Sequence, residues 1–503
     1  MTREPAPERE APFASRSRAG SPPVRHAALS VLDALEHWAL VPGPTSDLPP
    51  EELKALVEAI DVLPEEGEPF DKVLDDLGRR VLAHGVRPWD PAALAHLHSP
   101  TLPEAAATEL AIGATNQSMD SYDQAPAATL LEDHLVRWLG GRLGLPAATA
   151  SGVMTAGGTA SNLLGLLLAR DHATPHPVGD GGLPDAAAAW RIVTSADAHF
   201  SVARAAAVLG LGRRAVVPVA VDGGGRIDVA DLDRTLDRLD RDGLRAVALV
   251  GTAGTTDRGA VDPLAALADR AADRGAWFHV DAAVGVGFSF SDRLRPRLDG
   301  LERADSITAD LHKLAWQPIG ASLLLVRDGA RLAVVRHTSD YLDRPDDDPG
   351  DDGPLNLVAR SLDTSRRFDA LKVVASLRAT GRRRLGAMVE HLVDTAAAVA
   401  DRIANDPDLE LVAPPSSITV LFRWHPAGDP DGGTNGDRDL DAANAAIQRQ
   451  LFATGRAVLG RTRHDGRVVL KLTLVNPATT ADDIARVLAL VRQGPGSPTG
   501  RTP

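Results

Sequence analysis

The chain has 503 residues, 44% of them hydrophobic, and is too long for a single core, so we expect two or three packed regions. Its formal net charge of −14 argues against a nucleic-acid partner or an anionic membrane surface, because binding either one requires clustered lysine and arginine. It contains no cysteine, which excludes disulfides, thiolate zinc sites and a cysteine nucleophile, and we predict no metal site.

The N-terminal residues divide into a leader and a helical arm. Residues 1–26 are charged, are interrupted by prolines and lack the apolar core of a secretory signal, so we predict a disordered leader and a cytoplasmic protein. Residues 27–105 show helical periodicity broken by proline clusters, for example at Leu53, Leu56 and Val57. This pattern predicts an N-terminal helical arm.

From residue 106 the pattern changes to short apolar runs that alternate with helical segments. Such alternation predicts an α/β fold with a mostly parallel central sheet, and we assign residues 106–385 to this large domain. Pro218 cannot donate to a ladder, so its strand is expected at an edge. The uncharged stretch 143–169 contains Pro146 and several glycines, which argues against a membrane span. The predicted strands are 191–194, 215–219, 246–250, 277–280, 306–309 and 323–326.

The C-terminal third begins with a long helical pattern that runs from residue 368 to 403. Residues 386–503 are predicted to form a smaller α/β domain whose strands and helices alternate in a βαβ-like order. Two acidic, glycine-containing segments, 340–353 and 428–439, have no face to bury and are predicted to be surface loops.

Charged residues follow two apolar runs in an order that favours one cofactor. Asp281 ends the run 277–280, and Lys313 follows the run 306–309. Pyridoxal phosphate requires a carboxylate that keeps its pyridine nitrogen protonated and a lysine amine that holds its aldehyde as a Schiff base. Asp281 and Lys313 fit these roles, and Ala283 would let a flat ring approach the backbone. Taken alone, Asp281 is also compatible with a buried aspartate paired to an arginine.

Three further segments lie just beyond predicted strands, where ligands of open α/β sheets collect. The glycine-containing segment 155–162 precedes a helix and offers backbone N–H groups to a phosphate, although such a turn taken alone is more often a plain helix cap. His199 follows the strand 191–194 and is positioned to stack on a pyridine ring, or is an ordinary loop histidine. The turn 254–256, which contains Thr255, carries hydroxyls that either touch the cofactor or cap the helix that begins near Asp262.

The combined motifs resemble the group II pyridoxal phosphate-dependent amino acid decarboxylases from about His96 onward. The resemblance implies an aspartate-aminotransferase-like fold (fold type I) and a homodimer with an interfacial active site. Lys313 would hold the cofactor, His199 would stack on its ring as acid or base, and Asp281 would face the pyridinium. The other implied cofactor contacts are Gly158, Thr159, Ala160, Ser161, Thr255, Ala283 and His312. The motifs are His-Leu-His-Ser-Pro-Thr at 96–101, Thr-Ala-Gly-Gly-Thr-Ala-Ser-Asn at 155–162, Ala-His-Phe-Ser-Val at 198–202, Thr-Ala-Gly-Thr-Thr-Asp at 252–257, His-Val-Asp-Ala-Ala at 279–283 and Arg-Ala-Asp-Ser-Ile-Thr-Ala-Asp-Leu-His-Lys at 303–313.

Within that family, the segment 116–124 and the pair Gln317-Pro318 are most similar to the diaminobutyrate and siderophore-type lysine decarboxylases. The resemblance therefore implies α-decarboxylation of a diamino acid such as 2,4-diaminobutyrate, ornithine or lysine to an amine and CO2. A distal ammonium needs a counter-charge, for which Asp120 or Asp123 is a candidate, although both residues also fit a helix cap or a solvent-facing position. Lys471 stands where glutamate decarboxylases carry an arginine, which weakens the case for glutamate as the substrate without excluding it. Decarboxylation of an aromatic amino acid, aldehyde-forming or transaminating chemistry, and a catalytically silent binding protein also remain open.

Overall fold

The computed structural model describes residues 22–38, 41–337, 342, 355–427 and 437–496. The N-terminal part forms three helices and a short strand. Helix α1 begins within the predicted leader, so residues 22–26 are helical, whereas residues 1–21 lie outside the described part. Among the described residues, no helix is both long enough and apolar enough to cross a bilayer. The elements are α1 Pro22–Trp38, α2 Pro50–Glu58, α3 Phe70–Arg80 and β1 Ala93–Leu94.

The large region is built on a seven-stranded mixed sheet. Its spatial order is β2-β8-β7-β6-β5-β3-β4, with parallel pairing from β4 through β7 and antiparallel pairing at β8 and β2. The mostly parallel sheet predicted from the sequence is therefore confirmed, and the strand containing Pro218 lies at the expected edge. The strands are β2 Ser151–Thr155, β3 Trp190–Ser195, β4 Val216–Val219, β5 Arg245–Thr252, β6 Trp277–Asp281, β7 Ser306–Asp310 and β8 Ser322–Val326.

Helices cover both faces of this sheet because neighbouring residues of a strand point to opposite sides. Trp277 packs in a cluster with Leu164 and Leu168 of α6, whereas Phe278 packs in another with Leu264 and Leu267 of α10. The helices are α4 Pro103–Thr115, α5 Pro126–Arg142, α6 Gly158–His172, α7 Val178–Gly181, α8 Ser201–Val208, α9 Val229–Arg241, α10 Leu264–Arg274, α11 Leu311–Leu314, α12 Ala370–Thr380 and α13 Arg382–Ala404.

The long helical pattern near residues 368–403 forms two helices rather than one. Gly381 separates α12 from α13 and has a φ of 76°, which a helix cannot accommodate. The predicted acidic loop at 340–353 lies outside the described residues except for Leu342. The segment 428–439 is described only from residue 437, where the next helix begins.

The C-terminal region forms a five-stranded sheet in the order β1-β11-β12-β10-β9. The predicted βαβ-like order is wrong here, because β9 to β12 pair antiparallel and only β1 adds in parallel. The sequence prediction missed β11, which forms a hairpin with β12 through Asp465 and Gly466, both at positive φ. The elements are β9 Leu409–Ala413, β10 Thr419–Trp424, α14 Asp437–Ala453, β11 Val458–His464, β12 Arg467–Thr473 and α15 Ala481–Arg492.

Candidate active site

A cavity of about 290 Å³ opens where three parallel strands end. Thr252, Asp281 and Asp310 are the last residues of β5, β6 and β7, and all three line it. This is the edge at which ligands of open α/β sheets collect. The residues predicted from the sequence that line the cavity are Gly158, Thr159, His199, Asp281, Ala283, His312 and Lys313.

The N-terminus of α6 forms one end of the cavity. Gly158 and Thr159, its first two residues, line the cavity, and N–H groups in the first turn of a helix have no intrahelical acceptor. Ala160 and Ser161 do not line it, and their backbone N–H groups are already used in hydrogen bonds to the carbonyl of Gly157. The helix therefore presents its opening residues, together with its positive dipole end, to a bound anion.

Ser161 is turned away from the cavity, into the sheet. Its hydroxyl lies 2.7 Å from that of Thr155 and 3.0 Å from that of Ser322, and the residue is fully buried. Its side chain thus links α6 to β2 and β8. In the described structure it holds the turn in place rather than lining the cavity.

Gly158 is required by the close approach of Asp310. A Cβ at position 158 would lie 2.8 Å from Asp310 Oδ2, so any side chain would push the carboxylate aside. Asp310 accepts a hydrogen bond from Ser322 at 2.5 Å and lies 3.0 Å from the ammonium of Lys313. Asp310 therefore holds Lys313 next to the helix N-terminus.

Asp281 lies on the cavity wall and is held by two hydrogen bonds. Asn162 donates its side-chain amide N–H to Asp281 Oδ2 at 2.8 Å, and the backbone N–H of Ala283 donates to Oδ1 at 3.1 Å. The carboxylate is buried, and buried charge is costly unless it is paired and hydrogen-bonded. The arrangement suits a cationic ring nitrogen as the remaining partner.

His199 lines the same cavity as the two charged residues that the sequence pattern singled out. Burial lowers the pKa of its imidazole, the carboxylate of Asp281 raises it and the ammonium of Lys313 lowers it again, so both charges act on the ring. His199 Nδ1 lies 2.8 Å from the hydroxyl of Ser201, at the start of α8. The histidine is therefore held by its Nδ1 side on the wall of the cavity.

His312 and Thr255 occupy different positions. His312 lines the cavity, and burial lowers the pKa of its imidazole despite Asp310 nearby. Thr255 is buried behind the wall, where its hydroxyl accepts a hydrogen bond from the backbone N–H of Ala260 at 3.0 Å. Its neighbour Thr256 lines the cavity in its place.

Asp120 and Asp123 do not line the cavity of the described chain. The backbone N–H of Ser121 donates to Asp120 at 3.3 Å, and the hydroxyl of Ser121 donates to Asp123 at 2.5 Å. Their segment packs instead against residues near 356–366, to which it is joined through Tyr122 and Asn356. Within one chain, neither carboxylate faces the place where a substrate would lie.

The cavity residues fit pyridoxal phosphate. A helix N-terminus suits a phosphate, Asp281 suits a protonated pyridine nitrogen, and the small side chain of Ala283 leaves the wall flat. Lys313 lines the cavity with an amine that suits the aldehyde, and the hydroxyl of Ser99 donates to its backbone carbonyl at 2.6 Å. Asp281 and Lys313 both line the same cavity, as the hypothesis requires.

Seven residues that were not among the cofactor contacts implied by the resemblance also line the cavity: Gly157, Asn162, Thr252, Gly254, Thr256, Val284 and Asp310. Asn162 carried the clearest signal, because an amide at the start of an apolar helix must find partners. The remaining six lie at strand ends or in turns, where orientation depends on local backbone geometry. Periodicity could not reveal which of them face inward.

His279, behind the site, makes stability depend on pH. Burial lowers its pKa from 6.5 to about 4, although the charge of Asp281 acts in the opposite direction. Because the unfolded chain binds this proton at higher pH than the folded chain, stability is lost as the pH falls from 6.5 to 4, by on the order of 3 kcal/mol. Urea unfolding of the wild type and of His279→Gln checks this. The difference in free energy of unfolding between the wild type and His279→Gln should become smaller at low pH. A difference that does not change with pH would contradict the assignment.

Comparisons with known proteins agree with this geometry. The pyridoxal-dependent decarboxylase conserved domain matches residues 50–425. L-2,4-diaminobutyrate decarboxylase of Rhizobium meliloti (strain 1021) is 43% identical over 92% of this chain and 90% of its own length. The enzyme of the same name from Acinetobacter baumannii is 37% identical over 87% of each chain.

Solved structures give the same picture of the fold. The glutamate decarboxylase domain of diaminobutyrate-pyruvate transaminase and L-2,4-diaminobutyrate decarboxylase from Vibrio parahaemolyticus superposes with a TM-score of 0.86 at 36% identity. The superposition covers 96% of this chain and 97% of that one. The similarity therefore extends over both sheets and the site between the strand ends.

Proposed function

Because the chain belongs to the pyridoxal-dependent decarboxylase family, we propose that this carboxy-lyase removes the α-carboxylate of an L-diamino acid of the 2,4-diaminobutyrate type. The products would be CO2 and a diamine. The observation that carries the proposal is the single cavity that brings Asp281, His199 and Lys313 together. The choice of substrate rests on the two diaminobutyrate decarboxylases to which the chain is similar.

We assign the residue roles from the cavity's geometry. When bound, pyridoxal phosphate supplies the electron sink for the pair of electrons that departing CO2 leaves behind. Lys313 would hold its aldehyde end, Asp281 would favour a positive charge at its ring nitrogen, and the first residues of α6 would bind its phosphate. His199 would lie against the ring and hold a proton near the substrate's Cα. The protein thus contributes orientation and electrostatics.

The Asp257–Lys471 ion pair supports a diamino substrate over a dicarboxylic one. Lys471 Nζ lies 2.8 Å from Asp257 Oδ1 and 3.4 Å from the carbonyl oxygen of Thr256, a residue that lines the cavity. Burial favours protonation of Asp257, but the hydrogen bond and charge of Lys471 outweigh it, so the pKa of this carboxyl lies below its ordinary value. The positive charge of Lys471 beside the cavity is therefore already neutralised by Asp257.

Asp257→Asn should release that cation and shift substrate preference. Freed Lys471 would repel a distal ammonium and attract a distal carboxylate, so the kcat/KM ratio of L-glutamate to L-2,4-diaminobutyrate should rise by about tenfold or more. Steady-state kinetics on both substrates measure the ratio. Thr462→Val is the matched control, because it removes the 2.8 Å hydrogen bond to the other Asp257 oxygen without changing charge. An unchanged ratio in a folded Asp257→Asn enzyme would contradict the assignment.

We also propose that the protein is a homodimer with its active site at the interface. Phe200, next to His199, is 59% exposed, and Ile319, in the loop after α11, is 67% exposed. Large apolar side chains exposed beside a site are typical of an interface. We keep a cytoplasmic location as part of the same proposal, to be checked by cell fractionation.

Ile319→Asp should weaken the dimer, because it would bury a charge in an apolar contact. Sedimentation velocity should show a shift from dimer to monomer at micromolar concentration, together with loss of decarboxylation. Phe452→Asp, which alters an apolar residue of α14 that is 45% exposed, is the control and should leave the dimer intact. A wild-type protein that sediments as a monomer would exclude the proposal.

A substrate panel tests the function itself. Holoenzyme is incubated with L-2,4-diaminobutyrate, L-ornithine, L-lysine, L-glutamate and an aromatic amino acid, and released CO2 is measured. Products are identified by mass spectrometry. We expect the highest kcat/KM for a diamino acid, with amine and CO2 in equal amounts. Aldehyde with ammonia, or a keto acid without CO2, would instead establish oxidative or transaminating chemistry, and no turnover at all would favour a binding protein.

A further inference from the structure

Asn162 lies at the centre of a buried hydrogen-bond network beside the cavity. It belongs to the second turn of α6, is 1% exposed and lines the cavity. Its amide nitrogen donates to Asp281 Oδ2 at 2.8 Å and to Ser201 Oγ at 2.9 Å. Its amide oxygen accepts from Thr308 Oγ1 at 2.6 Å and lies 3.0 Å from His279 Nε2. Both donors and both lone pairs of the amide are therefore used.

The carboxylate of Asp281 fixes which way this amide faces. A carboxylate accepts only, so the amide nitrogen must face Asp281 and the amide oxygen must face His279. His279 Nε2 then has to carry a hydrogen, which leaves its Nδ1 to accept from Ser306 Oγ at 2.7 Å. The indole of Trp277, which is an obligate donor, completes the chain by donating to that Ser306 oxygen at 2.8 Å. The donor and the acceptor of each hydrogen bond from Asp281 to Trp277 are therefore assigned.

The same logic runs from Asn162 to His199. Ser201 Oγ accepts the second amide hydrogen and has its own hydroxyl hydrogen available to donate to His199 Nδ1 at 2.8 Å. The backbone N–H of Ser201, which can only donate, faces the same nitrogen at 3.3 Å and fixes Nδ1 as the acceptor. His199 Nδ1 therefore accepts hydrogen bonds, and the proton of the neutral ring resides on Nε2.

We infer that Asn162 is a positioning residue that sets the tautomer of His199 and orients Asp281 through one amide group. It acts on the reaction through these two side chains, and the inference rests on the proposed function for its catalytic meaning. One rigid amide thereby fixes both the carboxylate assigned to the ring nitrogen and the histidine assigned to the ring face. The orientations of Asp281 and His199 are therefore coupled through Asn162.

The tautomer is measured directly, in the protein without added substrate. Long-range ¹H–¹⁵N correlation spectra of ¹⁵N-histidine-labelled protein identify which ring nitrogen carries the proton, and a His199→Gln spectrum assigns the signals. The wild type should show His199 protonated on Nε2 alone. In Asn162→Ala and in Ser201→Ala the preference should weaken to a mixture of tautomers, because Asn162→Ala frees the Ser201 hydroxyl to accept from Nδ1 and Ser201→Ala removes that hydroxyl, which leaves only the longer contact from the Ser201 backbone N–H.

Thr308→Val is the matched control, because it removes a partner of the same amide on the side away from His199. Its His199 should keep the wild-type tautomer. In the holoenzyme, Asn162→Ala should lower kcat by about 10- to 100-fold while the visible cofactor band is retained. If Asn162→Ala does not fold, Ser201→Ala still reports on the tautomer.

Two results would overturn the inference: a wild-type His199 protonated on Nδ1, or the wild-type tautomer persisting in both Asn162→Ala and Ser201→Ala. Failure of the proposed function gives a different result. A protein that does not act on diamino acids, yet shows the expected tautomers, would refute the substrate assignment and leave the role of Asn162 standing.

Discussion

Replacing Lys313 with alanine should lower kcat by about 10⁴-fold or more, the scale seen when an enzyme loses its covalent nucleophile. Lys313 is the lysine that lines the cavity, and Asp310 holds its ammonium at 3.0 Å. The variant should also lack the visible absorption band that the wild type shows with pyridoxal phosphate and that borohydride reduction abolishes. Stopped assays of CO2 release and absorption spectra measure the two effects.

Lys54→Ala is the matched control, because this lysine lies in α2, far from the cavity in sequence, with its side chain 72% exposed and paired to Glu58. It should retain both the band and the activity. Circular dichroism establishes that Lys313→Ala is folded. A folded Lys313→Ala protein that keeps a reducible visible band would show that another amine holds the cofactor, and the assignment of the cavity would fail.

The site's framework could be predicted from the sequence because parallel strands place their carboxyl ends at one edge. Asp281 ends β6 and Lys313 follows β7, so a correct prediction of the two strands brings both residues to the same cavity. His199 follows β3 in the same way. Chain order and strand ends carried this information, and no long-range contact had to be guessed.

The inner wall could not be predicted, because it depends on single backbone turns. Gly254, at a φ of 97°, turns the chain after β5 so that Thr256 lines the cavity and Thr255 faces Ala260. Two adjacent threonines carry no difference in propensity that would reveal this. Asn162 was missed for a related reason, since its four partners come from three different elements, β6, β7 and α8, and meet only after the sheet has formed.

The sequence prediction missed β2 and β11, each of which contains a glycine. Gly152 lies in β2, where a Cβ would approach the carbonyl oxygen of Leu324 to 2.1 Å, so the position demands the residue least typical of strands. In β11, Arg461 and Arg463 interrupt the apolar pattern. Both strands are specified by their neighbours in the sheet rather than by their own composition.

Replacing Asp281 with asparagine should lower kcat by about 10³-fold, as expected when a preorganised charge is removed from a site that excludes water. Asparagine has nearly the same volume, and its oxygen can still accept from Asn162, whose amide now lies 2.8 Å from Asp281 Oδ2. What it lacks is the negative charge that keeps a pyridine nitrogen protonated. The loss should therefore fall on kcat, with cofactor still bound and its visible band retained.

Asp281→Glu and Asp305→Asn separate charge from geometry. Glutamate restores the charge on a longer side chain and should recover part of the lost rate. Asp305 is also a largely buried carboxylate, which accepts from the backbone N–H of Phe278 at 2.8 Å on β6, but it does not line the cavity. Its asparagine variant should keep a wild-type kcat. If Asp281→Asn decarboxylates within about tenfold of the wild type, the carboxylate is structural and the electrostatic role assigned to it is wrong.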